Sequence, residues 1–247
     1  MRYSAGNARK VALITGANKG IGFEITRQLG RTGMTVLLSA RNPKRGEASA
    51  AVIRGEGIDV DTIPLDLLKE DTISAAAEWI ASEYGRLDVL VNNAGIVDGE
   101  DGPPSSADLD AVRRVFDVNF FGTLAVTKAM LPLIRKAKAG RIVSVSSGLG
   151  SLTLNSDPTW AFASYKMLGY CGSKAALNMM TVQLAYELRH SGIKVNAVNP
   201  GFTATDMNGH QGSQTVEEGA AEAVRLALLA DDGQTGGFTE TGANNPW

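Results

Sequence analysis

The chain alternates short apolar runs with longer segments of helical periodicity, and this alternation restricts the fold more than any other feature. The apolar runs are rich in β-branched residues and occupy 11–15, 35–40, 60–65, 87–92, 141–146 and 194–199. Helices are predicted near 20–32, 43–55, 71–84, 107–136, 164–190 and 215–231, and Pro132 is expected to bend or end the fourth. Strands that alternate with helices form parallel sheets with helices on both faces. We therefore expect an α/β fold with a doubly wound parallel sheet.

The organisation of the sequence indicates one domain. Its 247 residues are within the range that α/β folds accommodate in a single unit, and no repeat or low-complexity linker divides them. We predict a single domain over 1–247 with a flexible N-terminal tail over 1–9. The two longest irregular stretches, 148–163 and 200–214, follow strand carboxyl ends, where open α/β sheets bind ligands. We expect them to be substrate-pocket loops, and plain surface loops are the alternative.

Charge and hydropathy exclude several partners. The formal net charge of −2 provides no basic field for nucleic acid or anionic lipid. No apolar run approaches the roughly 20 residues of a membrane-spanning helix. The apolar run at 11–14 is too short for a signal peptide and leads directly into glycines. The sequence therefore predicts a soluble cytoplasmic protein that acts on a small molecule and binds neither nucleic acid nor membrane.

The scarcity of cysteine and histidine limits the possible chemistry. Cys171 is the only cysteine, and His190 and His210 are the only histidines. A thiolate cluster or His-rich metal site is excluded by count, and a Ser/His/Asp hydrolase is hard to build. We predict no metal. Cys171 is expected to pack rather than react, because no histidine lies nearby in sequence to activate it.

A glycine-spaced turn follows the first apolar run and predicts dinucleotide binding. Glycines at these positions allow the backbone to approach a pyrophosphate and aim a helix N-terminus at its charge. The alternative is a tight strand-to-helix turn that needs glycine for backbone reasons only. The residues predicted to bind the cofactor here are Gly16, Asn18, Lys19, Gly20, Ile21 and Gly22.

The residues after the second predicted strand favour NADP(H) over NAD(H). An NAD site usually places a carboxylate there for the ribose 2′-hydroxyl, whereas this sequence has Ser39, Ala40, Arg41 and Asn42. Arg41, together with Lys19, could bind a 2′-phosphate through charge-assisted hydrogen bonds. The alternative is that Arg41 is a solvated charge leading a helix.

Tyr170 and Lys174 are four residues apart on a predicted helix and therefore share one face. A phenol with a pKa of about 10 needs a fall of roughly 3 units, about 4 kcal/mol, to exchange protons near neutrality. A neighbouring cation favours the phenolate. Neither Tyr165 nor Tyr186 has a lysine at this offset. We predict Tyr170 to be a general acid/base, and an ordinary amphipathic-helix pair is the alternative.

These motifs, with others in a fixed order, resemble those of the classical short-chain dehydrogenase/reductase family over essentially the whole chain. The further matches are Asp66 after the third strand, Asn92 to Gly95 after the fourth, Asn119, Ser146 and Ser147, and Pro200 with Gly201. The resemblance implies a single-domain Rossmann-like fold and an oxidoreductase. It also implies that Lys174 holds the nicotinamide ribose.

The resemblance assigns roles to further residues. It implies that Asp66 and Leu67 lie by the adenine, that Asn93, Ala94 and Gly95 support the cofactor, and that Pro200, Gly201, Thr203 and Thr205 contact the nicotinamide side. Ser147 would orient the substrate carbonyl, with Ser146 as its competitor. Asn119 would hold a water behind Lys174, or alternatively satisfy a helix kink.

Ser147 and Tyr170 are 23 positions apart, a longer spacing than is usual for the family. This insertion, Asn18 with Lys19, and residues 245–247 resemble the carbonyl-reductase branch. We expect the insertion, Met207 and the loop around His210 to shape an apolar pocket for a ketone or aldehyde. The expected reaction is carbonyl reduction by NADPH. Whether the protein is a monomer or a homo-oligomer is left open.

Two other functions are compatible with the sequence. A non-catalytic NADP(H)-binding sensor or scaffold would keep the fold without turnover, although the intact acid, lysine, serine and asparagine argue against it. A carrier-protein-linked 3-ketoacyl reductase would need a basic docking patch. The basic residues that could form such a patch are more simply interpreted as solvated helix faces. They are Arg113, Arg114, Lys128, Arg135, Lys136 and Lys138.

Overall fold

A single eight-stranded sheet runs through the computed structural model, which describes residues 9–247. Its spatial order is β3-β2-β1-β4-β5-β6-β7-β8. All pairings are parallel except β7 with β8. The strands are β1 (Val11–Ile14), β2 (Thr35–Ala40), β3 (Val60–Pro64), β4 (Val89–Asn92), β5 (Arg141–Val145), β6 (Lys194–Val198), β7 (Phe238–Glu240) and β8 (Ala243–Asn244). The predicted sheet is confirmed, and β7 and β8 extend it at one edge.

The helices cover both faces of this sheet. They are α1 (Gly20–Arg31), α2 (Pro43–Gly55), α3 (Glu70–Tyr84), α4 (Leu109–Phe116), α5 (Thr123–Ile134), α6 (Leu152–Ser156), α7 (Leu168–Glu187) and α8 (Val216–Ala227). Local sequence explains several boundaries. The Asn42 side chain accepts a hydrogen bond from the Arg45 amide ahead of Pro43, and Thr215 with Glu218 forms a capping box. Among residues 9–247, no helix is long and apolar enough to cross a membrane.

The hydrophobic core has two layers, one on each side of the sheet. Successive residues of β1 show the division, because Leu13 packs on one side and Ile14 on the other. The layer containing Ile14 includes Ile25 of α1, whereas the layer containing Leu13 includes Ile80 of α3 and Met130 of α5. Both faces are therefore buried, as the continuous apolar strands predict.

The predicted helix over 107–136 is interrupted, which corrects the sequence-based prediction. α4 ends at Phe116, a π-helical segment covers Asp117–Gly122, and α5 begins at Thr123. Pro132 lies inside α5 and does not end it at once, since the helix continues to Ile134. The π-helical segment lies where Gly122 passes so close to Leu67 that a Cβ there would be 2.7 Å from the Leu67 Cβ.

The order of the sheet reverses direction between β1 and β4. β2 and β3 extend from one side of β1, and β4 to β8 extend from the other. Loops leaving the carboxyl ends of the strands diverge at this point and leave a crevice, which is where open α/β sheets bind ligands. The segments after β1, β4 and β5 therefore determine the site.

The two stretches predicted to be irregular contain short ordered elements. Residues 148–163 include a 3₁₀ turn over Gly148–Gly150 and α6, whose first turn is capped by the Ser151 side chain. Residues 200–214 include a 3₁₀ turn over Asp206–Asn208 and a single bridge between Thr203 and Gln214. Local capping by serine and threonine explains this order.

Candidate active site

The glycine turn between β1 and α1 packs directly on the segment after β4. Gly16 and Gly20 adopt φ values of 62° and 57°, the left-handed region that favours glycine. A Cβ on Gly16 would be 2.9 Å from the Ala94 Cα, and one on Gly22 would overlap the Asn93 side-chain amide. Two of these glycines therefore permit close backbone contact, beyond the turn itself.

Thr15 and Asn93 join the glycine turn to the same segment. The Thr15 hydroxyl oxygen accepts hydrogen bonds from the amides of Asn93 and Ala94 at 2.9 and 3.0 Å. The Asn93 Nδ2 donates to the carbonyl oxygens of Thr15 and Gly16 at 2.8 and 3.2 Å. Asn93 and Ala94 thus fix the turn, which places the predicted cofactor segments against one another.

The start of α1 has the donor groups that an anion requires. Lys19 is its N-cap residue, its side chain makes no capping bond, and the first turn carries no acidic residue. The first amide groups of a helix lack intrahelical partners and bear partial positive charge. The turn therefore fits the pyrophosphate of a dinucleotide.

Lys19 and Arg41 occupy different environments. Lys19 Nζ lies 2.6 Å from Asp206 Oδ2, so the glycine turn is joined to the loop after β6 by an exposed ion pair. Asp206 also contacts the His210 Nε2 at 3.0 Å. Arg41 directly follows β2 and is exposed. The structure therefore shows Lys19 paired with a carboxylate at the mouth of the crevice.

The remaining predicted cofactor residues lie along the same crevice edge. Asp66 follows β3, and its Oδ1 accepts from the Leu68 amide at 3.1 Å. Leu67 contacts Gly122 of the π-helical segment. A Cβ on Gly20 would lie 3.6 Å from the Thr205 Cγ2. Thr203 is buried, and its hydroxyl donates to the Pro200 carbonyl at 3.0 Å.

The two serines after β5 have different environments. Ser146 is buried, and its hydroxyl donates to the Asn178 Oδ1 at 2.6 Å. The Ser147 hydroxyl oxygen accepts from the Leu149 amide at 3.2 Å, and the Ser147 side chain acts on the Tyr170 phenol, whose pKa it lowers. Ser147, rather than its competitor Ser146, is therefore the serine beside the tyrosine.

Tyr170 and Lys174 lie on one face of α7, with the Lys174 Nζ 5.7 Å from the tyrosine ring centroid. Lys174 is buried and donates to the Val145 carbonyl at 2.7 Å. Burial lowers the pKa of Lys174 to about 8. It also raises the pKa of Tyr170 to about 12, and this effect outweighs the opposite effect of Ser147. The protein's own groups therefore shift the Tyr170 pKa upward, opposite to the fall expected from a neighbouring lysine.

Asn119 connects the segment after β4 to α7. It lies in the π-helical segment, where its Oδ1 accepts from the Ile96 amide at 2.8 Å. Its Nδ2 donates to the Ile96 carbonyl at 3.0 Å and to the Ser173 hydroxyl at 3.1 Å. A Cβ on Gly95 would lie 3.4 Å from Asn119 Oδ1 and 3.5 Å from Lys174 Nζ. Gly95, Asn119 and Lys174 therefore meet at one point.

An aromatic cluster connects the two expected pocket loops, and sequence reasoning did not identify it. Phe162 lies at its centre, with its ring centroid 5.4 Å from Trp160, 5.9 Å from Tyr165 and 5.5 Å from Phe202. A Cβ on Gly148, next to Ser147, would lie 3.2 Å from the Trp160 ring. The close spacing of three aromatic residues at 160, 162 and 165 was the available signal. The insertion is thus placed beside the serine.

The two loop residues expected to shape an apolar pocket are exposed. Met207 is 44% exposed, and His210 is paired with Asp206 on the surface of the loop. His210 lines a cavity of about 360 Å³ between α1 and this loop, together with Gly20, Phe23, Thr205 and Asp206. The cavity lining combines two carboxylates and an imidazole with apolar side chains. The apolar surface beside Ser147 is the aromatic cluster instead.

Comparison with known proteins places this arrangement in a family. Residues 10–216 match the family model described as short chain dehydrogenase. The chain is 36% identical over 225 residues to the short-chain dehydrogenase anuI of Penicillium roqueforti, covering 89% of this chain and 88% of that protein. It is 33% identical over 281 residues to carbonyl reductase [NADPH] 1 of Mus musculus, covering 98% and 99%.

Solved structures of similar proteins support the same family assignment. The NADPH-bound carbonyl reductase from chicken fatty liver matches with a TM-score of 0.85 at 27% identity, over 98% of this chain and all of that one. Salutaridine reductase from Papaver somniferum matches with a TM-score of 0.81 at 30% identity, over 93% and 99%. The chain therefore belongs to the short-chain dehydrogenase/reductase family, in its carbonyl-reductase-like branch.

Proposed function

We propose that the protein is an NADPH-dependent carbonyl reductase that converts a ketone or aldehyde to an alcohol. The observation that carries this proposal is the convergence of Ser147, Tyr170 and Lys174 beside Asn119 at the carboxyl ends of β4 and β5. A phenol, a hydroxyl and an ammonium in one crevice can protonate and polarise a carbonyl oxygen. The relatives include carbonyl reductase [NADPH] 1 of Mus musculus.

The cofactor would be held by several segments along the crevice. The turn from Gly16 to Gly22 would hold the pyrophosphate, with Asn93 to Gly95 beneath the nicotinamide and Pro200 with Gly201 at its far side. Asp66 and Leu67 would lie by the adenine. When bound, the nicotinamide supplies the hydride.

The preference for NADPH over NADH would come from Arg41 and Lys19. A 2′-phosphate would attract the exposed guanidinium of Arg41 and compete with Asp206 for the Lys19 ammonium. Solved structures with NADPH or NADP bound are among the matches. An Arg41→Asp variant should therefore lose most of its preference for NADPH.

Tyr170 would donate the proton. A phenol with a pKa of about 12 remains protonated throughout the physiological range, so it is ready to act as the acid in carbonyl reduction. Its Oη would deliver a proton to the carbonyl oxygen while Ser147 stabilises the negative charge developing there. Lys174 would orient the nicotinamide ribose and, through a water held by Asn119, return a proton to Tyr170.

The pocket would be formed by residues 148–163 and 200–214. The aromatic cluster around Phe162 joins these segments and would exclude water from the hydride acceptor. An apolar ketone or aldehyde fits this surface better than a charged one. We assign the cluster, rather than Met207, to the apolar wall.

Two observations weaken the alternatives. A sensor or scaffold would not need Ser147 to act on the phenol of Tyr170. A carrier-linked reductase needs a basic docking patch, but three of its six candidate side chains are already paired with carboxylates, namely those of Arg113, Arg114 and Arg135. Carbonyl reduction of a free small molecule is therefore the better proposal.

The decisive experiment measures NADPH consumption with a panel of aliphatic, aromatic and dicarbonyl compounds, beside NADH. Tyr170→Phe should lower kcat by about 10²-fold or more, because it removes the proton donor while retaining the ring. Ser147→Ala should lower kcat strongly, and Ser146→Ala should not. Tyr186→Phe, on the same helix, is the matched control. Tight NADPH binding with no turnover on any compound would favour the sensor.

A further inference from the structure

The first turn of α7, which carries Tyr170, is capped by a distant segment. Met167 is its N-cap residue, and its side chain makes no capping bond. The Leu168 amide donates to the Gly102 carbonyl at 2.9 Å. The Gly169 and Tyr170 amides donate to Asp101 Oδ1 and Oδ2 at 2.9 and 2.8 Å. Three successive amides at the start of this helix therefore donate hydrogen bonds to Asp101 and Gly102.

Asp101 is itself held in place. Its amide donates to the Asp98 carbonyl at 3.1 Å, and Oδ1 also accepts from the Gly102 amide at 2.9 Å. Arg114 of α4 pairs with both Asp98 and Glu100 at 2.8 Å. The segment that carries Asp101 is therefore fixed to α4 as well as to α7.

Close packing leaves little freedom in this arrangement. A Cβ on Gly169 would lie 3.0 Å from Asp101 Oδ2 and 3.1 Å from the Val112 Cα. Glycine at this position lets the carboxylate reach two consecutive amides. Hydrogen bonds to a charged acceptor are about twice as strong as neutral ones. The carboxylate also complements the positive end of the helix.

The same segment begins at the residues that would lie beneath the nicotinamide. It leaves β4 through Asn93 to Gly95 and reaches Asp101 after Ile96 has bonded to Asn119. The cofactor floor and the tyrosine helix are thus joined directly, at Asn119 to Ser173 and at Asp101 to Tyr170. A displacement of about 1 Å between reacting groups can lower a rate by roughly 10²-fold.

We propose that Asp101 is a positioning residue, which sets the Tyr170 hydroxyl at its working distance from the nicotinamide by holding the Tyr170 and Gly169 amides. This proposal rests on the proposed function. Nothing in the sequence motifs of the site includes Asp101. Its role passes through the backbone of the catalytic tyrosine, so its loss should affect turnover rather than cofactor affinity.

The test compares Asp101→Asn and Asp101→Ala with Asp110→Asn, whose carboxylate pairs with Arg113 on the exposed face of α4. Asparagine keeps one acceptor oxygen and alanine keeps none. The expected fall in kcat is about tenfold for Asp101→Asn and larger for Asp101→Ala, with Kd for NADPH within about twofold of wild type. Hydrogen exchange at the Gly169 and Tyr170 amides should accelerate in the same order. The control should match wild type in all three measurements.

The proposal is overturned if folded Asp101→Ala keeps its kcat, or if Kd for NADPH rises in step with the loss of kcat. Unchanged exchange at the two amides would also overturn it. If Asp101→Ala fails to fold, Asp101→Asn, whose side chain has the same shape, is the test variant, and an unchanged kcat in Asp101→Asn overturns the proposal. If wild type reduces no carbonyl compound, the proposed function fails independently, and the amide exchange alone decides whether Asp101 holds the helix.

Discussion

At the scale of single residues, Lys174 shows how burial sets the chemistry of the site. Its ammonium is removed from water and has the Val145 carbonyl as its hydrogen-bond acceptor. The charged form is therefore disfavoured, and the pKa falls to about 8, close enough to neutrality for proton exchange. The cost of burying this lysine should be measurable as a pH-dependent free energy of unfolding.

We predict that wild type gains stability relative to Lys174→Met as the pH rises from 7 to 9.5. A lysine with a pKa of about 8 when folded and 10.5 when unfolded binds more protons in the unfolded state across this window. The gain should approach about 2 kcal/mol, because the window covers most of the shift. Urea unfolding of both proteins at each pH measures it. A difference that stays constant with pH would show that Lys174 titrates normally.

A second prediction concerns the Lys19–Asp206 ion pair. Asp206→Asn should strengthen NADPH binding by about two- to fivefold, because exposed pairs contribute up to about 1 kcal/mol and Lys19 is then free for the 2′-phosphate. Glu217→Gln, which removes a carboxylate from the same cavity, is the matched control. Fluorescence titration with NADPH and NADH measures the effect. Weaker binding in Asp206→Asn would mean that the ion pair orders the site instead of competing for Lys19.

Residues that act through a nearby side chain could be predicted from the sequence, whereas a residue that acts through a distant backbone amide could not. Tyr170 with Lys174 could be recognised from helical spacing alone. Asp101 could not, because it lies 69 positions before Tyr170 and bonds to an amide that every residue type possesses. The upward shift of the Tyr170 pKa could not be predicted from the sequence either, because it arises from burial in the folded protein, which outweighs the effect of polar neighbours.

At the scale of helices and strands, predictions succeeded where every residue of the element is buried. Every residue of β2 is buried, and its predicted range was found unchanged. The π-helical segment over Asp117–Gly122 had no local signal, because it depends on Asn119 bonding to Ile96 and on Gly122 passing Leu67. β7 and β8 were missed because strands of three and two residues are too short to show periodicity.

α6 is anchored by residues at the other end of the described chain. The Trp247 carbonyl accepts from the Thr153 amide at 3.1 Å and from its hydroxyl at 2.8 Å. The Trp247 ring stacks on Phe238 of β7 with a centroid distance of 5.3 Å. The segment after β8 therefore braces the insertion that also carries the aromatic cluster.

We predict that Trp247→Ala raises KM for carbonyl substrates by about five- to tenfold and changes kcat less than twofold. Loss of the stacked ring releases the Trp247 carbonyl that holds Thr153, so the pocket wall becomes looser. Substrate binding then weakens equally in the ground state and in the transition state, which raises KM and leaves kcat nearly unchanged. Tyr186→Ala, an exposed aromatic residue on α7, is the control. Steady-state kinetics at saturating NADPH measures both constants. An equal fall in kcat at unchanged KM would contradict this role.

At the scale of the whole molecule, the proposed site draws on segments that are far apart in sequence. Five different strands lead into it, and they are followed by the glycine turn, Arg41, Asn93, Ser147 and Thr205. They converge only because those strands are parallel and the sheet reverses its order at β1 and β4. A ligand bound across this edge contacts both halves of the sheet and should stabilise the entire fold.

NADPH should therefore raise the melting temperature of the whole protein. At a concentration 100 times its Kd, a ligand that binds only the folded state contributes about 2.7 kcal/mol. For a chain of 247 residues this corresponds to a rise of about 5–10 °C. NADH at the same concentration should give a smaller rise, because it lacks the 2′-phosphate. Thermal unfolding followed by circular dichroism measures both.

Two charge reversals separate recognition of the 2′-phosphate from general electrostatics. Arg41→Asp should remove most of the difference between NADPH and NADH, since it replaces the exposed guanidinium after β2 with a repelling carboxylate. Lys44→Asp changes the net charge equally, only three positions further along in α2, and should leave the difference intact. An equal loss in both variants would mean that the field around the start of α2, rather than a specific contact from Arg41, distinguishes the two cofactors. The larger stabilisation by NADPH would then fall steeply with added salt, whereas a charge-assisted contact at Arg41 would retain part of it.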